Sequence, residues 1–390
     1  MSKSLSRFWQ VVGATIFVML TLAVSMNKSF GGNLDDGAKN KPSYLTPCFE
    51  VKVENDVKYA EAEGYWSSYP DEGEPFGQVY IGRVAQLVST DSLDLTMDIY
   101  QPDTDSDQLR PLILFIHGGS FFNGDKAEES YRLWCTHFAS LGYVAVSMNY
   151  RMGWTPNRTS IDAAGFRATQ DANAALRFLL HHADLYRINP DWVFVGGTSA
   201  GAITALNLAF LTDDNKPASV VEEGPIAKLL PECSETFHIA AVINMWGAVC
   251  DTVILHDSQT SVISFHGDCD KIIPYSHGYP FVKMLDKKND KPAESFLASV
   301  LPLVTPSPDA EIWENLVPPM YGSYCIDQYC KKHGIRSELH TGAGVGHSMH
   351  VDEHTHQLNS YFYTIQEAIT RFLHDEIAKR PIGTKKTTIQ

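Results

Sequence analysis

The most constraining feature of this 390-residue chain is the run of residues from 193 to 202. Val-Phe-Val at 193–195 is typical of a buried strand, Gly-Thr-Ser-Ala-Gly follows at 197–201, and a helix-forming stretch begins at Ala202. A strand, a Gly-x-Ser-x-Gly turn and a helix together form a nucleophile elbow, in which the serine occupies a strained turn. We therefore predict that Ser199 is a nucleophile, and that side chains at positions 197 and 201 would collide with neighbouring backbone.

A serine hydroxyl is a poor nucleophile, so Ser199 needs a base, and the base needs an acid that holds its tautomer. Predicted strand 261–265 runs into His-Gly-Asp-Cys-Asp at 266–270, which offers Asp268 or Asp270 as the acid. Predicted strand 336–340 runs into a glycine-rich loop that presents His347 as the base.

A third element of the same chemistry precedes the elbow. Predicted strand 112–116 ends in His-Gly-Gly-Ser-Phe at 117–121. Backbone N–H groups of this loop and of Ala200 would form an oxyanion hole, in which one donor contributes about 2.7–4 kcal/mol of transition-state stabilisation.

Strand-like and helix-like patterns alternate from residue 78 onward, which predicts a mainly parallel sheet with helices on both faces. The strand-like segments are 78–88, 95–101, 112–116, 143–149, 192–196, 239–246, 261–265 and 336–340, and the helix-like segments are 126–141, 167–186, 200–211 and 356–379.

Taken together, these pieces resemble the α/β-hydrolase fold of the carboxylesterase/lipase family, and in particular secreted esterases that deacylate polysaccharides. The matching segments are 96–102, 117–119, 171–179, 197–201, 266–274 and 342–347. The resemblance implies a twisted, mostly parallel sheet of about eight strands with helices on both faces.

The same resemblance assigns the site residues. It implies that Asp270, the last residue of a His-Gly-x-x-Asp pattern, is the acid and that Asp268 is a solvated turn carboxylate. It also implies oxyanion donors in the loop of Gly118, Gly119 and Ser120 and at Ala200. Ser120 stands where many relatives carry a third glycine, but a backbone donor survives that change.

The chain ends lie outside the predicted catalytic domain, which spans 78–380. Residues 1–25 combine early basic residues, an uncharged stretch and Ala-Val-Ser, which predicts a cleaved signal peptide and a secreted or periplasmic protein. The alternative is a membrane anchor formed by residues 8–26. We expect residues 26–77 to be a tether with irregular structure, and residues 381–390 to be a tail.

Composition limits the partners and cofactors. The net charge of -15, without a basic run, argues against nucleic acid, and we expect no stable membrane association after signal cleavage. The predicted chemistry requires no cofactor or metal. His347, His350, His354 and His356 are expected to form an exposed histidine-rich loop, since their spacing matches no metal motif. His117 and His266 are expected to hydrogen-bond loop backbone.

An unusually long connection separates the acid from the base. Seventy-six residues lie between Asp270 and His347, whereas a helix and a strand with their loops need roughly 35. We predict that residues 277–322 form an insertion that acts as a lid or an acyl-group wall over the site; the alternative is a surface decoration.

We therefore expect a serine carboxylic-ester hydrolase that works through an acyl-enzyme, with small-molecule or glycan esters as substrates. Acetyl or feruloyl esters of glycans are implied by the resemblance alone. Two alternatives are a serine peptidase of the same fold and a catalytically inactive binding protein with this fold.

Overall fold

The protein is represented by a computed structural model that describes seven stretches of the chain. They are residues 42–68, 90–104, 107–155, 157–255, 259–282, 314–352 and 355–379. The predicted signal peptide, the strand-like segment 78–88, the central part of the insertion and the C-terminal tail lie outside these stretches. Among the helices that are described, none is long and apolar enough to cross a membrane.

Eight strands form the central sheet. They are β1 (Val51–Gly64), β2 (Asp91–Pro102), β3 (Arg110–Ile116), β4 (Val144–Met148), β5 (Ile188–Thr198), β6 (Ile239–Met245), β8 (Ser261–Gly267) and β11 (Ser337–Gly342). Their order across the sheet is β1-β2-β4-β3-β5-β6-β8-β11. The pairs β1/β2 and β2/β4 are antiparallel and the others are parallel, which confirms the predicted sheet. A smaller sheet contains β7 (Ala248–Val249), β10 (Met320–Gly322) and β9 (His277–Gly278).

Helices cover both faces of the sheet. They are α1 (Glu129–Ser140), α2 (Arg158–His181), α3 (Ala183–Tyr186), α4 (Ala200–Phe210), α5 (Ser323–Lys332) and α6 (Ser360–Lys379). Alternate residues of β3 point to opposite faces: Leu114 packs in one core cluster with side chains of α2 and α4, and Phe115 packs in another with side chains of α1 and α6. The two-faced packing agrees with the α/β architecture that the sequence predicts.

The expectation of irregular structure over residues 26–77 is wrong for Val51–Gly64, which form β1. The sequence prediction missed this edge strand because it carries many charged residues on its exposed face. Tyr59, Ala60 and Ala62 are nevertheless buried. The pairing of β1 with β2 contains two register shifts, and these irregularities break the simple alternation that identifies a strand.

The start of α2 was also predicted too late. The helix begins at Arg158 because the side chain of Asn157 accepts a hydrogen bond from the backbone N–H of Ser160 at 2.9 Å. An asparagine at this position satisfies one of the free N–H groups of the first turn.

Candidate active site

Ser199 lies at the junction of β5 and α4 in a strained conformation, with φ +51° and ψ -118°. A Cβ atom at position 197 would lie 2.4 Å from the carbonyl oxygen of Ile116, and one at position 201 would lie 2.0 Å from it. Only glycine fits such a close approach, so the predicted need for Gly197 and Gly201 is confirmed. The turn holds the Ser199 hydroxyl at the carboxyl edge of the sheet.

The structure brings the predicted base and acid to this hydroxyl. His347 Nε2 lies 3.0 Å from Ser199 Oγ, and His347 Nδ1 lies 2.7 Å from Asp270 Oδ2. The three residues meet because β5, β8 and β11 all end at the same edge of the sheet and each is followed by one of them. Asp268 lies apart, on the surface, where its Oδ1 accepts the backbone N–H of Gly344 at 2.7 Å.

Asp270 is buried, yet its surroundings favour the ionised form. Its Oδ1 accepts the backbone N–H groups of Ile272 at 2.7 Å and Ile273 at 3.0 Å. Burial alone would raise the pKa of Asp270, but the charge of His347 and hydrogen bonds from His266 and His347 hold that pKa well below its usual range. The group that faces His347 Nδ1 is therefore a carboxylate, which favours the tautomer with a bare Nε2 towards Ser199.

The loop after β3 approaches the elbow closely. Gly119 has φ +103°, and a Cβ atom there would lie 2.0 Å from the carbonyl oxygen of Asn123. The backbone N–H groups of Gly119 and Ser120 donate to no other described residue. Ala200 is the first residue of α4, so its N–H lacks a helical acceptor. Donors at the predicted positions are thus available beside Ser199.

Two aromatic residues that the sequence did not single out support this loop. The hydroxyl of Tyr150 donates to the carbonyl oxygen of His117 at 3.0 Å. The indole N–H of Trp154 donates to the carbonyl oxygen of Ser120 at 2.8 Å. Both follow β4, and no local motif marks them, because their role depends on a tertiary contact.

An apolar cavity adjoins Ser199. Phe121, Trp154, Ile203 and Met320 contribute to its wall, and the space measures about 510 Å³ with its open mouth. The two described ends of the predicted insertion also line it, through Pro280, Phe281, Val317 and Pro318. The role of the insertion as a lid stays a prediction, since its central part lies outside the described residues.

The prediction of an exposed histidine loop is wrong for His350. This side chain is buried between the rings of Trp134 and Trp246, at centroid distances of 5.5 and 5.0 Å, and burial lowers its pKa to about 4. Trp246 also presents an edge to His347, with the ring centroids 6.3 Å apart. His356 is exposed, and His354 lies outside the described residues.

The two histidines that were expected to bond loop backbone, His117 and His266, differ in their hydrogen-bond partners. His117 bonds loop backbone as predicted, with Nδ1 2.8 Å from the Gly118 carbonyl oxygen. His266 also bonds loop backbone, with Nε2 3.3 Å from the Ile273 carbonyl oxygen, but its shorter contacts are to side chains: Nε2 lies 3.1 Å from Asp270 Oδ2 and Nδ1 lies 2.8 Å from Ser323 Oγ. The prediction for His266 missed these partners because Ser323 lies 57 residues further along the chain.

One cluster of described side chains has the composition of a cation site. Ligand atoms of His181, Cys233 and Glu235 all lie within 4.8 Å of one another, near the end of α2. His181 Nδ1 and Glu235 Oε1 already contact each other at 2.7 Å, and the Arg177 guanidinium bonds the Cys233 carbonyl oxygen at 2.7 Å. The positive charge of Arg177 disfavours a cation there.

The strand order and the serine elbow between β5 and α4 define the α/β-hydrolase fold. Residues 97–259 match the BD-FAE family model. These residues include the loop at 117–121 and the elbow at 197–201, and the match supports the resemblance to carboxylesterases.

Several curated proteins are similar to part of this chain. Gut esterase 1 of Caenorhabditis briggsae is 30% identical over 128 residues, which are 32% of this chain and 23% of the relative. The probable carboxylic ester hydrolase LipM of Mycobacterium tuberculosis is 32% identical over 120 residues, which are 30% of this chain and 26% of the relative. The chain thus aligns with only about a quarter of the length of these relatives.

Among solved structures, this chain is similar to the thermophilic esterase Est2 of Thermogutta terrifontis with propionate bound. It is 20% identical with a TM-score of 0.48, and the alignment covers 75% of this chain and 93% of that chain.

Proposed function

We propose that this protein is a serine carboxylic-ester hydrolase that works through an acyl-enzyme intermediate. The observation that carries the proposal is the continuous hydrogen-bonded series from Asp270 through His347 to the Ser199 hydroxyl, with contacts of 2.7 and 3.0 Å. A buried carboxylate, an imidazole and a strained serine in this geometry activate an alcohol for acyl transfer.

The residues then have the following roles. His347 Nε2 takes the proton of Ser199 as Oγ attacks the ester carbonyl carbon, and the imidazolium is stabilised by the Asp270 carboxylate. The N–H groups of Gly119, Ser120 and Ala200 bind the oxyanion of the tetrahedral intermediate. His347 returns the proton to the leaving alcohol, and a water activated by the same imidazole releases the acid.

The substrate class follows from the cavity and from the resemblance of the sequence. An apolar cavity beside Ser199 suits the acyl part of an uncharged ester. Acetyl or feruloyl esters of glycans are the natural substrates we propose, on the basis of the family resemblance. We also propose that residues 1–25 direct export, which N-terminal sequencing of the mature protein tests: a start at Met26 is expected, and a retained Met1 contradicts it.

The experiment that tests the activity compares purified wild type with Ser199→Ala on p-nitrophenyl esters of increasing acyl length. Wild type should hydrolyse short esters and label with a fluorophosphonate, whereas Ser199→Ala should lose labelling and about 10⁶-fold in kcat. Ser360→Ala, at the exposed start of α6, is the matched control.

The alternatives give different results. Faster hydrolysis of an aminoacyl anilide than of the acyl esters would indicate a peptidase. A folded wild-type protein that neither labels nor hydrolyses any ester would indicate a binding protein and overturn the proposal.

A further inference from the structure

The Asp270 carboxylate is shared between two imidazoles. Its Oδ2 atom contacts His347 Nδ1 at 2.7 Å and His266 Nε2 at 3.1 Å. His266 lies near the end of β8, and neither His266 nor Asp270 has solvent-exposed side-chain surface. The proposed mechanism uses only His347, so the second imidazole on the same oxygen calls for an explanation.

The direction of the hydrogen bonds behind His266 can be followed from a backbone donor. The N–H of Gly247 donates to Asn244 Oδ1 at 3.0 Å, which fixes the orientation of the Asn244 amide. Asn244 Nδ2 therefore faces the hydroxyl of Ser323, to which it donates at 3.0 Å. Ser323 Oγ thus acts as an acceptor towards Asn244.

The same hydroxyl determines the protonation of His266. Ser323 is fully buried, and His266 Nδ1, at 2.8 Å, is the acceptor that the described residues offer to its hydrogen. If Nδ1 carried a proton, the Ser323 hydrogen would be buried without an acceptor, which is costly. Nδ1 is therefore bare and the proton of the neutral ring lies on Nε2. Nε2–H donates to Asp270 Oδ2 at 3.1 Å, and the Ile273 carbonyl oxygen is a second, more distant acceptor at 3.3 Å.

We propose that His266 is a positioning residue that acts on His347 through Asp270. Its N–H withdraws part of the negative charge from the oxygen that faces His347 and holds that oxygen in place. The Asp270 carboxylate then stabilises the protonated form of His347 less strongly than an unshared carboxylate would. This inference rests on the proposed function of the Ser199 site.

The test compares the pH dependence of kcat/KM for an acyl ester in wild type, His266→Phe and His266→Gln. Phenylalanine keeps the ring and removes the donor, whereas the Gln side-chain amide can place an N–H near the position of Nε2. We expect the acid limb of His266→Phe to move upward by about 0.5 to 1 pH unit, and that of His266→Gln to return towards wild type. At pH values well below the midpoint of the acid limb, this shift makes kcat/KM of His266→Phe about three- to tenfold lower than that of wild type.

A matched control is His137→Phe, which removes a partly buried histidine that contacts Thr370 rather than Asp270. Its acid limb should coincide with that of wild type. An unshifted limb in folded His266→Phe would overturn the proposal, as would an equal shift in His266→Phe and His266→Gln.

A second measurement observes the tautomer of His266 in the wild-type protein and uses a folded variant only for assignment. In wild-type protein labelled with ¹⁵N at histidine, with His266 assigned by its absence from the spectrum of His266→Gln or His266→Phe, the proton should lie on Nε2 and Nδ1 should be bare. A proton on Nδ1 would contradict the inference. Failure of the proposed function gives different results: a folded wild type that hydrolyses no ester, or full ester hydrolysis by Ser199→Ala.

Discussion

Arg151 and Asp171 form a buried ion pair that joins the segment after β4 to helix α2. Arg151 Nη2 lies 2.6 Å from Asp171 Oδ1, and the backbone N–H of Arg151 donates to Asp171 Oδ2 at 2.7 Å. The side chains are 5% and 0% exposed, so both charges are removed from bulk solvent. The segment from Arg151 continues to Trp154, whose indole N–H donates to the carbonyl oxygen of Ser120 in the loop after β3.

Removal of one partner of this pair should destabilise the protein severely. Asp171→Ala leaves the Arg151 guanidinium buried without its carboxylate, and we expect the free energy of unfolding to fall by about 3–5 kcal/mol. Urea unfolding followed by circular dichroism measures the change.

The control is an ion pair on the surface. Lys58 contacts Glu61 at 2.7 Å and Asp94 at 2.5 Å, and the three side chains are 46%, 53% and 64% exposed. Lys58→Ala should leave the free energy of unfolding nearly unchanged, because exposed pairs contribute little. Equal effects of Asp171→Ala and Lys58→Ala would contradict this account of the buried pair.

Alanine substitutions at two helical glycines should change the free energy of unfolding in opposite directions. A Cβ at Gly201 would lie 2.0 Å from the backbone oxygen of Ile116, which cannot move without disrupting β3. We expect Gly201→Ala to lower the free energy of unfolding by about 3 kcal/mol or more. A Cβ at Gly165, in α2, would lie 3.6 Å from the Phe121 ring, an ordinary contact. Gly165→Ala should therefore stabilise the protein by about 0.5–1 kcal/mol. Melting temperatures of the two variants give the comparison, and a shift in the same direction would contradict it.

The parts of the site that local sequence encodes could be predicted. The elbow at 197–201 and the loop at 117–121 follow strands directly, and strand ends in a parallel sheet meet at one edge, so Ser199, His347 and one of the two aspartates at 268 and 270 could be expected together. The choice of Asp270 comes from the family resemblance. The glycines identify the close approaches, because no other residue fits them.

Other features depend on contacts that are distant in sequence. The burial of His350 results from Trp134 of α1 and Trp246 after β6, neither of which lies near it in sequence. The tautomer of His266 depends on Ser323, and β1 is a strand because of its pairing with β2 despite its charged exposed face. Periodicity and local motifs do not encode such contacts.

The buried histidine His350 should make stability depend on pH. Burial lowers its pKa to about 4, whereas an unfolded histidine has a pKa of about 6.5. Between these values the unfolded chain binds a proton that the folded protein does not, so stability falls as the pH is lowered. His117 has the same lowered pKa for the same reason and contributes in the same direction.

The variant His350→Phe isolates one of these contributions and keeps a ring between the two indoles. The free energy of unfolding of the variant, relative to wild type, should increase by about 1–2 kcal/mol between pH 7 and pH 5. Urea unfolding at both pH values measures this difference. If the difference in the free energy of unfolding between the two proteins is the same at both pH values, His350 is protonated as readily in the folded state as in the unfolded state.

Met320 should limit the length of the acyl group that the site accepts. Its side chain lines the cavity beside Ser199, and it belongs to β10, whose neighbours hold the backbone in place. Each methylene buried in such a cavity contributes about 0.8 kcal/mol, or roughly a factor of four. The two extra methylenes of a butyryl ester should therefore raise kcat/KM by up to about fifteenfold over an acetyl ester.

Met320→Trp fills part of that space, so it should remove most of the preference for butyryl while leaving acetyl hydrolysis within about threefold of wild type. Tyr321→Trp is the matched control, because successive side chains of a strand point to opposite faces and Tyr321 packs on His277 with the ring centroids 4.5 Å apart. The ratio of kcat/KM for p-nitrophenyl butyrate and acetate is the measurement. If Met320→Trp keeps the wild-type ratio, the acyl chain does not occupy this cavity, and it must extend from Ser199 in another direction.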